Sequence, residues 1–167
     1  MKIFNKLKNK KIIVLILGII LICVIFGIVF SRFSVKSSAI NTVEKYAEAM
    51  SRSNSKLLAS LYYEDVIEKL YNGNEKELIN LLDANFNVQK DLDIVISDYE
   101  VEENYHQIEK NDYDTYVSKY GLKSNVIEEL RTYTIVFDMK NKNDIQKKSS
   151  KVIVVKINNN WYFLDVE

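Results

Sequence analysis

The chain has 167 residues and a formal net charge of zero, enough for one domain and little else. The balance hides an asymmetry: the first 33 residues carry six Lys or Arg and no acid, which leaves 17 basic against 23 acidic side chains in the remainder. A domain with that excess of acid repels phosphate backbones, so nucleic-acid binding is excluded as an expectation, and the single cysteine, Cys23, excludes an intrachain disulfide and any cysteine metal site.

The first element is an apolar run from Ile12 to Phe30, 19 residues without a charge. As a helix it covers about 28 Å, close to the roughly 30 Å hydrocarbon core of a bilayer. The run predicts a transmembrane helix, preceded by a basic segment 1–11 and followed by a linker 31–37 and a domain 38–167. Lysines at 2, 6, 8, 10 and 11 precede it and only Arg32 and Lys36 follow closely, so the bias of positive charge places the N-terminus in the cytoplasm and the domain outside. A cleaved signal peptide is the competing reading, with Ser37-Ser38-Ala39 as its cleavage site. That site lies well beyond the apolar run, which favours the uncleaved anchor. A lipoprotein is excluded because Cys23 follows the bulky Ile22. Gly18 and Gly27 are too far apart for a small-residue dimer motif.

After Ser38, the apolar residues Ile40, Val43, Tyr46, Ala47 and Met50 recur at helical spacing and predict an amphipathic helix ending near Asn54. Ser55 is expected to cap a second helix, with Leu57, Leu58, Leu61 and Tyr62 as its stripe and Val66, Ile67, Leu70 and Tyr71 continuing it. Asn72-Gly73 ends that helix, and Asn74 caps a third over Leu78, Ile79, Leu81 and Leu82. From Leu92 the pattern becomes that of a strand through Val101 and Tyr105. A tyrosine-rich stretch, Asn111 to Leu122, predicts a short helix closed by Gly121.

Alternation of Tyr133, Ile135, Phe137 and Met139 with Thr132, Thr134, Val136 and Asp138 predicts a second strand. Lys140 to Ser150 reads as a polar turn region and Lys151 to Ile157 as a further strand. Asn158-Asn159-Asn160 supplies the left-handed conformations of a tight hairpin into Trp161 to Val166. The expectation is an α+β domain of about three helices covering one face of a curved, mostly antiparallel sheet of about four strands.

No catalytic, metal or cofactor signature is present, and no ligand-binding residue is singled out. His106, the only histidine, reads as a surface residue. Asp112 and Asp114 have the first spacing of a calcium loop, but its turn glycine and terminal glutamate are missing. Glu100, Glu102 and Glu103 read as the charged face of an exposed strand, and Trp161 as a residue packed under the helices. Eleven tyrosines are the unusual feature, since amphipathic rings suit both core edges and binding surfaces. The absence of proline, with abundant Asn, Lys and Ile, resembles the usage of low-GC Gram-positive bacteria.

The segment Val43-Glu44-Lys45-Tyr46-Ala47-Glu48-Ala49-Met50, the run Leu57, Leu58 and Leu61, and the end Asn160-Trp161-Tyr162-Phe163-Leu164 together resemble the nuclear transport factor 2-like, or cystatin-like, superfamily in its bacterial membrane-anchored form. Asn160 stands where that closing motif has glycine. The resemblance covers about Ser38 to Glu167 and implies a cone-like domain. It also implies one of that superfamily's roles: ligand binding, isomerase or dehydratase activity, an accessory domain of a cell-wall enzyme, or the membrane-anchored assembly component of conjugation and type IV secretion machines. Residues and resemblance together suggest a membrane-anchored binding or assembly module of the cell envelope, whose partner is an envelope protein or a small apolar ligand. An isomerase or hydratase using the cone pocket is the alternative.

Overall fold

The computed structural model describes residues 38–142 and 144–167. The basic segment 1–11, the apolar run Ile12 to Phe30 and the linker 31–37 lie outside the described residues. Among the described residues, no helix is long and apolar enough to cross a membrane.

The domain is α+β. Helix α1 spans Ala39–Ser51, and the Ser38 hydroxyl caps it by accepting from the Asn41 amide. The stripe expected to form one second helix is divided into α2, Ser55–Ala59, and α3, Glu64–Tyr71. Between them, the Leu61 carbonyl accepts from the Phe163 amide at 2.8 Å and Tyr62 bridges Phe163 in parallel, so the chain leaves the helical path to pair with the last strand. The cap of α2 is Asn54, not Ser55: the Asn54 side chain accepts from the Leu57 amide at 3.0 Å. Ser55 is buried and donates to Asp83. Helix α4, Glu75–Asp91, is capped by Asn74 as expected. Helix α5, Tyr113–Tyr120, ends at Gly121 with φ +71°, where a Cβ would meet Lys69 of α3 at 2.6 Å.

Four antiparallel strands follow in sequential order: β1 Ile94–Gln107, β2 Ile127–Asn141, β3 Asp144–Ile157 and β4 Asn160–Val166. The polar stretch Lys140 to Ser150 is not a turn region. Asn141 pairs with Asp144, and the charged residues ride on the strands of a long hairpin. At the β3–β4 turn, Asn158 and Asn159 adopt φ of 51° and 62°, as the triple asparagine predicts. Strand β1 is an edge with two register irregularities, and Asp98 sits within the first at φ 48°.

The helices do not cover one face only. Tyr133, Ile135, Val152, Val154 and Phe163 pack with residues of α1, α2 and α4 on the first face. Leu130, Ile153, Val155, Ile157 and Leu164 pack with Val66 of α3 and Tyr113 and Tyr120 of α5 on the second. Consecutive residues 152 to 155 of β3 therefore alternate between two cores, and all four are fully buried. The expected count of about three helices becomes five among the described residues, because one apolar stripe is split and a short helix serves the second face.

Candidate binding cleft

Helix α1 packs on the first face. Near its start the Thr42 hydroxyl reaches the Trp161 carbonyl at 3.4 Å, and at its far end Met50 and Ser51 face the start of β1. There α1, α4, β1 and the end of β2 enclose a cleft of about 800 Å³, with Met50, Phe86 and Ile96 contributing apolar surface and Asp83, Lys90, Lys140 and Lys142 polar surface. Met50 and Ile96 also line a deeper apolar niche of about 160 Å³ with Tyr46, Tyr99, Ile135 and Phe137. The register shift between Ser97 and Glu100 bends β1 where Tyr99 meets the niche, and a bulge is the usual way a strand opens such a space.

The niche wall is held by ring contacts. Tyr46 stacks on Phe163 with centroids 4.7 Å apart, and Tyr62 meets the same ring edge-on at 5.0 Å. Burial, and then the negative charge of Asp165, push the Tyr46 hydroxyl up to about 12. At neutral pH it is therefore a protonated donor and no base. Neither a carboxylate nor an imidazole lines the niche.

A second recess of about 420 Å³ lies on the other face of the sheet, where His106 meets Glu109, Asp112, Tyr116, Thr132 and Lys151. His106 is exposed, as its charged neighbours predict. Asp112 and Asp114 are exposed as well, at the start of α5, and no cluster of three or more metal-ligating side chains forms among the described residues. Glu100, Glu102 and Glu103 are exposed on the β1 edge. The tyrosines divide: Tyr113 and Tyr120 fill the second core, Tyr99 lines the niche and Tyr105 is partly exposed.

Arg131 carries a cluster that the sequence reading did not single out. Its guanidinium lies over the rings of Tyr105 and Trp161, at 4.1 and 4.6 Å, and its Nε donates to Glu129 at 2.6 Å. Trp161 is thus only partly packed under the helices, with one ring face given to the cation. The Glu-x-Arg pattern at 129–131 was the available signal, because residues two apart on a strand share a face.

On the second face, Asp165 accepts from Lys119 at 2.7 Å and from the Tyr120 hydroxyl. Burial opposes ionisation of Asp165, but these two donors outweigh it and hold the carboxyl below its ordinary value. A depressed carboxylate contributes stability above its unfolded pKa, about 3.9, and loses it as pH falls through the folded value. Asp165→Asn is therefore expected to flatten the decline in stability below about pH 4, and urea midpoints across that range check it. An unchanged acid limb would contradict the pairing. Lys119 is largely exposed, so solvent screens part of its share of the effect.

No protein-family model matches the chain, and no curated protein matches it in sequence.

Proposed function

We propose that this chain is a membrane-anchored binding module of the bacterial cell envelope. In this reading Ile12 to Phe30 hold it in the cell membrane, the N-terminus is cytoplasmic, and the domain outside takes a small apolar ligand in the cleft between α1, α4 and β1. The observation that carries the reading is the apolar niche opening from a polar-rimmed cleft, the usual make-up of a small-molecule site. The isomerase or hydratase alternative asks for an ionisable group enclosed in a cavity of roughly 300 Å³ or more. The niche is about half that size and offers the Tyr46 hydroxyl, which stays protonated, and this supports binding over proton transfer. Helices first and an antiparallel meander last is also an order that agrees with the nuclear transport factor 2-like resemblance.

Met50 stands between the cleft and the niche. With the full chain held in amphipol, a dansylated fatty acid is expected to gain emission on binding, and Met50→Trp to weaken that binding by about tenfold through occlusion. Equal binding by both proteins would refute the site. A reporter fused after Glu167 tests the topology separately: activity in the cytosol would refute the external domain.

A further inference from the structure

The β2–β3 hairpin ends in a tip with two features that the cores leave unexplained. From Asp138 to Lys148 it carries four lysines, at 140, 142, 147 and 148, against Asp138 and Asp144, on a domain that is otherwise acidic. None of the four ammonium groups has an ion-pair partner among the described residues. Asp144 instead accepts from the Gln146 side chain. The second feature is apolar. Strand register sets Val95, Lys140 and Ile145 in one row across β1, β2 and β3. Val95 is 55% exposed, Ile145 62%, and Leu92, just before β1, 55%. The second core covers only the other end of this sheet face, around Leu130, Ile153 and Ile157.

We propose that this tip docks on an anionic lipid surface, with Ile145, Val95 and Leu92 entering the boundary between headgroups and acyl chains while the lysines meet the phosphates. A soluble polyanion would satisfy the lysines and leave the aliphatic side chains in water. A purely apolar partner would strand the ammonium groups. A charged bilayer interface accommodates both, since attraction to anionic lipid and burial of apolar side chains act together there. The surface shares Val95, Lys140 and Lys142 with the rim of the cleft but no residue with the niche.

Its placement sets what the test must distinguish. Ser38, where the chain enters the domain, lies beside Trp161 at the opposite end of the sheet, since Thr42 bonds both residues. Along β2 the tip is about 40 Å away at 3.3 Å per residue. The surface reached is either the chain's own membrane or a second one.

The full chain in nanodiscs of neutral phosphatidylcholine is floated with vesicles of phosphatidylcholine alone or mixed with phosphatidylglycerol. It is expected to float with the anionic vesicles only, and to be released by salt. Substituting Lys142, Lys147 and Lys148 together by Gln is expected to cut recovery by about tenfold, and Ile145→Asp to cut it with every lysine intact. Retained circular dichroism identifies variants that still fold. Equal recovery with both vesicle types, or indifference to the lysine substitutions, overturns the proposal. Loss on lysine substitution but not on Ile145→Asp overturns it in favour of a soluble polyanion. An environment-sensitive label at Ile145→Cys, in a Cys23→Ser chain, then separates the two membranes. A label buried when the chain itself sits in anionic vesicles identifies its own membrane, one buried only on adding further vesicles identifies a second membrane, and one wet in both arms overturns the proposal.

Discussion

Ile153→Ala is expected to lower the unfolding free energy by about 3 kcal/mol, read as a shifted urea midpoint with unchanged slope. The side chain is fully buried and packs in the second core with Leu130, Val155 and Leu164. Its neighbour Val152 is equally buried but belongs to the first core. In a sheet covered on one side, one of two adjacent residues faces water and tolerates truncation. Here both face packed side chains, so alanine at either position should be costly. A loss below about 0.5 kcal/mol at Ile153 would place it among surface substitutions and refute the second core.

Arg131→Ala is the second large effect, about 2 kcal/mol by the ordinary scale of cation–π contacts and of a buried acceptor left unpaired. Two rings lose their cation, and Glu129, whose side chain is only 19% exposed, loses its donor. Lysine at 131 should recover less than half of the loss, because a flexible ammonium cannot lie flat between two rings while also donating sideways to a carboxylate. A double-mutant cycle with Glu129→Gln isolates the ion pair: alanine at 131 should cost about 1 kcal/mol less in that background. Equal costs in both backgrounds would show that Glu129 takes no part.

Local signals carried much of this fold. Asn74 before Glu75 marked a helix start, Gly121 a helix end and the triple asparagine a hairpin, because each acts through its own backbone geometry. The break between α2 and α3 left no local trace. The apolar spacing from Leu57 to Tyr71 runs on as if helical, and the helix yields only because Leu61 and Tyr62 meet Phe163, a hundred residues later. Lys140 to Ser150 misled for the opposite reason: polarity resembles a turn, yet a hairpin exposed on both faces needs no apolar residues to keep its ladder of hydrogen bonds. The unbroken run Val152 to Val155 did hold the sign of a strand buried on both sides, since a half-exposed strand would alternate. The niche was not legible. Its walls come from α1, β1, β2 and β3, and the gap between them depends on the angle of a helix over a bent strand, which no single segment encodes.

The outer strand β1 is long enough to be hazardous when many copies crowd one surface. A straight, unpaired edge invites the same edge of a neighbour and can template a fibril. The left-handed Asp98 and the two slips in register mean that this border offers no run of evenly spaced amides for another copy to match, and its glutamates add repulsion. High local density should therefore leave the molecules separate instead of polymerising them through their sheets.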